Sequence, residues 1–519
     1  MIAYTKAEGR RYVIASGCAD ATATAAAVLE SGGTLVDAAI AGSAVQCVTS
    51  PHLVSIGGDL FAVLKSAGDP TTWSVNATGA APRRADIALF AGRGLPRIPA
   101  IGPLSIQTPG LVAGWQALHG RWATRPLAAL LEPAIDIARR GSRVGRRLAM
   151  LSARHRHAYE KQHGFAAAFL PDAQPLREGE GLPQERLARA LEAIARDGAD
   201  AFYRGPIARD IVDTVNRAGG IMDTADFEAV RADIGPALTL RLGALEFATQ
   251  PPVSQGAVLL RALALVAASG QTTGEAAAIA QMKALRIAFA ERLALLGDTG
   301  TSRQTAEAMV RGQLAAGPLA PFAAENGPET TTLSILDSDG NAISLINSIF
   351  ADFGAGVVSD DTGILMNNRL CALFLDPNHP NGLRPGKRAM QTLHSIIVSD
   401  PGGVLMAGAS PGGDLQPQVN LQVLAPVLFG GVPLEEAVAA PRWALHPGTH
   451  PHHLAENPTP VVQHEPGVPQ ALLAAFAREG LPPVPVADLG SAKWVARAPT
   501  GAPMTAIADR RRDGAVTGA

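Results

Sequence analysis

Three consecutive threonines, Thr330-Thr331-Thr332, open a segment in which apolar residues alternate at Leu333 and Ile335 and again at Ile343 and Leu345. That spacing predicts two half-buried antiparallel strands, and Asp337-Ser338-Asp339-Gly340-Asn341 supplies the turn between them. If the hairpin is symmetric about Asp339, Ser348 lies opposite Thr330. Directly opposed residues place their Cβ atoms about 4.5–5.5 Å apart, so the two hydroxyls can hydrogen-bond. A threonine hydroxyl attacks a carbonyl only when a base takes its proton, and the α-amine of an N-terminal threonine can be that base. With a reference pKa of about 7.7–8, a useful fraction of such an amine is neutral near pH 7. A cut between Glu329 and Thr330 would create it: the hydroxyl attacks the Glu329 carbonyl, the acyl group moves from N to O, and the ester hydrolyses. On its own, a Thr-Thr-Thr run reads more readily as a surface threonine at a strand edge.

The same segment resembles the signature of the γ-glutamyltranspeptidases, a family of N-terminal-nucleophile (Ntn) hydrolases. The matching residues are Thr330-Thr331, Asp337-Ser338-Asp339-Gly340-Asn341-Ala342, Phe353-Gly354-Ala355-Gly356 and Gly363-Ile364-Leu365-Met366-Asn367-Asn368. The likeness extends to Gly32-Gly33-Thr34-Leu35-Val36-Asp37-Ala38-Ala39, Gly57-Gly58-Asp59-Leu60-Phe61, Thr108-Pro109-Gly110, Gly386-Lys387-Arg388 and Ser410-Pro411-Gly412-Gly413, covering nearly the whole chain. It implies an α+β fold, the αββα sandwich of Ntn hydrolases, with residues 1–329 and 330–519 as two autoprocessed chains of one domain. It also implies that Thr330 is the nucleophile, that Ser348 matches the family's second hydroxyl, normally a threonine, and that the Gly412 and Gly413 amides hold the oxyanion. Among 54 glycines a Gly-Gly pair is otherwise an ordinary loop.

Four departures point away from a γ-glutamyl substrate. Where glutamyl-specific relatives carry an arginine for the substrate α-carboxylate, this chain has Thr78, with Arg83 and Arg84 as the only nearby replacements. A short hydroxyl cannot replace a bidentate guanidinium. The contacts to the α-ammonium are changed as well: an asparagine becomes Phe350, and a Gln-x-x-Asp becomes Arg369-Leu370-Cys371-Ala372. The paired serines become Gln391-Thr392. A further resemblance, to the branch with cephalosporin-acylase-like proteins and oxamate amidohydrolase, rests on Asn368-Arg369, Leu375-Asp376-Pro377-Asn378-His379-Pro380-Asn381 and Pro385-Gly386-Lys387-Arg388. Some members of that branch are thought to cut carbon–carbon bonds. The expectation is therefore a small amide substrate whose acyl part is neutral or carries a carboxylate, such as an oxamate-like or dicarboxylic monoamide. The alternative for Arg369 is a structural pair with Asp376 or another core acid. His379, in a proline-rich loop, is expected to be structural and not a base. Two rivals stay open: a true γ-glutamyltransferase or glutathione hydrolase with a rebuilt headgroup site, and a non-processing pseudoenzyme that binds a ligand in the same cleft.

The elements that must hold these groups are legible in outline. Helices are predicted over 19–32, 35–48, 128–140, 187–197, 275–296 and 469–479, and strands over 60–64, 393–398 and 404–409. From 299 to 329 the chain turns Ala/Gly/Pro/Thr-rich without a period and reads as a loop ahead of Thr330. Of the 519 residues, 47% are hydrophobic and 17% charged, enough for a large core and not for disorder. A net charge of −2 without a dense Lys/Arg run argues against nucleic acid as a partner. The N-terminal residues lack a secretory apolar run, and no membrane-spanning run appears. Cys18, Cys47 and Cys371 are too scattered for disulfides or a metal site, which fits a cytoplasmic location. No cofactor is implied, and the expected partners are the small amide and the two processed chains as a heterodimer.

Overall fold

The hairpin about Asp339 forms with strands Thr331–Asp337 and Ala342–Ser348. Their register sets Thr331 opposite Asn347, so one step further Thr330 faces Ser348. The turn closes through the Asp337 carboxylate, which accepts from the Asp339 and Asn341 amides at 3.0 and 2.9 Å, and Gly340 supplies the left-handed step at φ +87°. The computed structural model describes residues 4–314, 330–446, 451–452, 459–498 and 501–519.

This hairpin is the centre of a seven-stranded antiparallel sheet. Its order is Ala515–Gly518, Tyr12–Ser16, Thr331–Asp337, Ala342–Ser348, Asp59–Lys65, Thr72–Ala77 and Asp233–Pro236. The second sheet, also antiparallel and seven-stranded, runs Tyr4–Gly9, Met504–Asp509, Lys493–Ala496, Gly403–Ala409, Ile396–Asp400, Leu245–Thr249 and Leu238–Leu242. Period-two alternation gives each sheet two buried faces. On the first sheet Leu333, Ile335, Ile343, Leu345, Leu60 and Leu64 pack into one core with residues of helices Ala19–Glu30, Leu35–Thr49, Leu111–Trp122 and Leu127–Arg140. On its other face Val13, Ala15, Val63, Leu336 and Ala342 meet Ile397, Val404, Ala407, Val495 and Ala506 of the second sheet. The outer face of that sheet, through Phe247, Ile396, Val398 and Met406, packs on helices Gly256–Ser269, Gly274–Leu295 and Leu415–Gly430. The layers are helix, sheet, sheet, helix: the αββα sandwich. Both sheets combine strands from before and after Thr330. Among the described residues no helix is long and apolar enough to cross a membrane.

Several local expectations need correction. The stretch 299–329 is not all loop: Ser302–Val310 is a helix that buries Ala306, Met309 and Val310, an i, i+3, i+4 stripe. The remainder from 315 to 329, including Glu329, lies outside the described residues. The strand expected over 393–398 runs Ile396–Asp400, because Ser254 Oγ and Gln255 Nε2 take the Leu393 and Thr392 carbonyls at 2.7 and 2.6 Å. Pro469 precedes helix Gln470–Arg478 in an extended conformation and is not part of its first turn. Cys18 is partly exposed and caps a helix through Ala21 N–H, whereas Cys47 and Cys371 are buried thiols.

Candidate active site

Four polar residues continue one row across neighbouring strands. Thr330 faces Ser348; Ser348 is paired with Asp59; and since Leu60 pairs with Ala77, Thr78 comes next to Asp59. Opposed residues in antiparallel strands project to the same face, here the one toward the second sheet. Thr330 is 4% exposed, and its hydroxyl donates to Ser348 Oγ at 3.4 Å. Ser348 Oγ also accepts the Phe350 N–H at 2.8 Å. Phe350 stands at φ +83°, a conformation that a bulky residue adopts only when its surroundings impose it.

The Gly412-Gly413 loop leads from strand Gly403–Ala409 into helix Leu415–Gly430. Both glycines have positive φ, +118° and +58°, which a side chain would resist. Both are buried, and among the described residues neither N–H has an acceptor. Orphaned buried N–H groups are rare, and two in sequence form a ready site for a developing oxyanion. Around them the loop is pinned. Gln255 Nε2 donates to the Gly413 carbonyl at 2.9 Å as well as to Thr392 O. Asp414 pairs with Arg292 at 2.6 Å in a buried ion pair, and Ser410 Oγ donates to Asn420 Oδ1 at 2.7 Å. Asn420 Nδ2 in turn meets His394 Nε2 at 3.1 Å. Burial pushes His394 down to about 4, so its ring is neutral and accepts that bond.

The headgroup positions lie at the other end of the row. Thr78 is buried, and its hydroxyl accepts from Gln107 and Gln391, each at 2.9 Å. Arg83 and Arg84 do not replace the missing guanidinium: both are exposed, and Arg83 Nε stands 4.0 Å from Asp226. Arg369 is fully buried. It is not the lone cation its sequence neighbours suggest, because Asp59 sits 3.4 Å from its Nε. The partner is a core acid other than Asp376. The Phe350 ring covers the guanidinium at 4.4 Å. Burial outweighs the attraction between the pair: it raises Asp59 to about 6 against the pull of Arg369, and lowers Arg369 to about 10. Asn367 holds the following turn with all its groups, donating to Gly57 O and Gln107 O at 2.8 Å and accepting from Arg369 N at 3.0 Å and Gln107 N at 3.2 Å. Gln391 thus braces Thr78, and the Thr392 carbonyl is tied to Gln255. His379 accepts the Asn381 N–H at 2.9 Å and stacks on Phe374, a fixture of its own loop. A cleft of about 340 Å³ opens beside Thr78, lined also by Gly79, Thr108, Arg83, Asp226 and Arg388. Among the described residues no group of three or more His, Cys, Asp or Glu is gathered to hold a metal ion.

Comparison with known proteins adds to this geometry. The family model described as Gamma-glutamyltranspeptidase matches residues 21–519. The chain belongs to the γ-glutamyltranspeptidase family. It is 33% identical over 446 residues to the oxamate amidohydrolase proenzyme of Klebsiella pneumoniae, covering 82% of this chain and 83% of the relative. It is 28% identical to the glutathione hydrolase proenzyme of Escherichia coli, with 83% and 80% covered. The crystal structure of cephalosporin acylase from Bacillus halodurans superposes with a TM-score of 0.88 at 26% identity, over 100% of this chain and 97% of that one. The protein is accordingly an enzyme of the γ-glutamyltranspeptidase family with the Ntn-hydrolase sandwich.

Reasoning from sequence missed Asp59 as the partner of Arg369, Gln255 as the tie on the Gly413 loop, and Gln107 behind Thr78. Asp59 stands in Gly57-Gly58-Asp59-Leu60-Phe61, where its charge in an otherwise uncharged run is the available signal. Gln255 follows Pro251-Pro252-Val253-Ser254 at the start of an apolar helix, which marks a turn and not its partner.

Proposed function

We propose that this chain is a self-processing amidohydrolase whose nucleophile is Thr330 and whose acyl substrate is not an ordinary γ-glutamyl group. The observation that carries it is the buried Thr330 hydroxyl bonded to Ser348 at the end of the inter-sheet space. In maturation the Thr330 Oγ attacks the Glu329 carbonyl, the acyl group passes to oxygen, and water cleaves the ester, leaving chains of 1–329 and 330–519 in one sandwich. The freed α-amine then accepts the hydroxyl proton as Oγ attacks the substrate amide. The Gly412 and Gly413 N–H groups stabilise the tetrahedral oxyanion. The leaving amine takes the proton, and water, activated by the same α-amine, hydrolyses the acyl-enzyme.

The headgroup reading rests on Thr78, Phe350, Arg369 with Ala372, and Gln391-Thr392. Thr78 lacks the guanidinium, Phe350 the amide, Ala372 the acid and Gln391-Thr392 the serine pair with which glutamyl-specific relatives grip an amino acid, and Arg369 stands where an ammonium would lie. The 33% likeness to an oxamate amidohydrolase supports an amide outside the γ-glutamyl class. The competing reading, a glutathione hydrolase with a rebuilt site, draws on the 28% likeness to the Escherichia coli enzyme, and glutathione turnover separates the two. Intact-mass measurement tests the nucleophile: two chains joining at Glu329 and Thr330 are expected, and Thr330→Ala should stay one inactive chain. An uncut wild-type chain would favour a non-processing binding protein, and a terminus at Thr331 or Thr332 would show that the nucleophile is misassigned.

A further inference from the structure

Self-cleavage poses a chemical problem that turnover does not. A threonine hydroxyl needs a base before it attacks, and the α-amine that serves the cleaved enzyme is, in the uncut chain, still the amide nitrogen of the bond between Glu329 and Thr330. The first acyl shift therefore draws on a base elsewhere in the protein. Of the four residues in the polar row, Thr330, Ser348, Asp59 and Thr78, only Asp59 carries a carboxylate. It is fully buried. Its Oδ2 makes one long contact, 3.4 Å, with Arg369 Nε, and among the described residues its Oδ1 has no hydrogen-bond partner. A buried carboxylate that serves the fold ordinarily has both oxygens bonded. Burial also raises this acid to about 6, so that for stability alone an amide of the same shape would suit the position better.

The place of Asp59 ties it to the nucleophile. It is the directly opposed neighbour of Ser348, as Ser348 is of Thr330, and the three side chains share one sheet face. Opposed Cβ atoms lie about 4.5–5.5 Å apart, within the reach of a hydroxyl and a carboxylate directly or through one water. Ser348 Oγ accepts from the Thr330 hydroxyl at 3.4 Å and from the Phe350 N–H at 2.8 Å. With both lone pairs engaged, a hydroxyl passes a proton onward only through its own O–H. We propose that Asp59, acting through Ser348, is the proton acceptor for the self-cleavage step, and that the α-amine replaces it once the chain is cut. As Thr330 Oγ bonds to the Glu329 carbonyl carbon, its proton passes to Ser348 Oγ and the Ser348 proton passes to Asp59. When the C–N bond between Glu329 and Thr330 breaks, protons return from Asp59 to Ser348 and from Ser348 to the departing nitrogen. The nitrogen leaves as a neutral amine, and Asp59 is ionised again. The groups around Asp59 leave the pH window near 6 to it. Arg369 faces it as a cation, with Arg292 beyond, while Tyr203 and Cys371 stay neutral there because burial drives both upward.

The proposal rests on the Thr330 reading, and the test separates the two. Cleavage of freshly purified wild-type chain is followed by intact mass from pH 5 to 8.5. Its rate should rise through about pH 6 and then level, whereas kcat/KM of the cleaved enzyme should rise through the α-amine range, about 7.7–8. Asp59→Asn should lose the rise near pH 6 and cleave about tenfold or more slowly at pH 7.5. Ser348→Ala, which removes the bridge, should lose the same rise. Glu329→Gln, which removes the carboxylate beside the scissile bond, should keep it. A wild-type rate that is flat across pH 6, an Asp59→Asn rate equal to wild type, a rise that persists in Ser348→Ala, or one that vanishes in Glu329→Gln overturns the path from Thr330 to Asp59 while leaving Thr330 in place. No cleavage of the wild-type chain overturns the Thr330 reading instead. If Asp59→Asn fails to fold beside Arg369, the double variant Asp59→Asn/Arg369→Met removes both charges and is read in the same way. The wild-type and Glu329→Gln profiles decide by themselves if neither variant folds.

Discussion

Ser348→Ala removes an oxygen that accepts from Thr330 and from Phe350, and these two losses have different sizes. The Thr330 contact, at 3.4 Å, is long for an O–H···O bond, whose common distance is about 2.7–2.8 Å. Its loss belongs at the low end of the usual range, about 0.5 kcal/mol. The Phe350 contact, at 2.8 Å, is well formed. Removing its acceptor strips a buried N–H at φ +83°, and such a loss costs about 1–3 kcal/mol. The expected stability loss is therefore about 1.5–3.5 kcal/mol, seen as a lower urea midpoint with unchanged slope, and most of it reflects Phe350. Maturation and turnover should slow by about two- to tenfold if Ser348 only orients the nucleophile, since each 1.36 kcal/mol is a factor of ten. Larger losses would mean that the bond tightens in the transition state. The assay follows cleavage of freshly purified protein by intact mass, then hydrolysis by the matured fraction. Ser348→Thr, which restores the hydroxyl, should recover both rates. Unchanged rates in a folded Ser348→Ala protein would remove Ser348 from the site.

Gln255→Leu leaves the Thr392 and Gly413 carbonyls without their shared donor and should lower kcat by about tenfold or more with little change in KM, because on the proposed mechanism Gln255 acts on the loop that holds the oxyanion and not on substrate; a KM effect alone would refute that. For Asp59 the sign is set by burial, which raises it to about 6 from 3.8 despite Arg369. Its stability contribution is full below about pH 3.8 and is lost as pH rises to about 6, the loss totalling roughly 3 kcal/mol. Asp59→Asn escapes it, so the variant should match wild type near pH 4 and gain on it through pH 6. If wild type gains instead, the pair is an ordinary stabilising ion pair. Tyr203 and Cys371, the other titratable side chains coupled to the pair, stay neutral across that window because burial drives both upward.

What sequence conveyed and what it withheld divide by range. The hairpin register needs only a period of two and a turn at Asp339, so the Thr330–Ser348 opposition was readable eighteen residues apart. Helices such as Leu35–Thr49 carry their own start signal, here Thr34 and Asp37 in a capping box. The Ser302–Val310 helix was lost because one buried stripe of three residues is diluted by the aperiodic chain around it. Asp59 and Arg369 are 310 residues apart, and Gln255 and Gly413 158. No local propensity encodes such meetings; they exist only once both sheets are stacked. The motif at Asn367-Asn368 therefore identified the turn but not the acid waiting beneath Arg369.

The interleaving of strands has a consequence for how the molecule can be made. Strands Thr331–Asp337 and Ala342–Ser348 are flanked by Tyr12–Ser16 on one side and Asp59–Lys65 on the other, so neither half can complete a sheet alone. While the chain is whole, its covalent link gives the halves an effective concentration in the millimolar range typical of tethered partners. If the bond before Thr330 is cut as proposed, that advantage is gone, and reassembly from denaturant becomes a second-order reaction between two fragments with open strand edges. Unfolding of the mature enzyme is thus expected to be practically one-way at micromolar concentration, whereas the Thr330→Ala chain refolds independently of concentration. On that proposal the uncut chain carries the instructions for assembly, and the cleaved form keeps only the result.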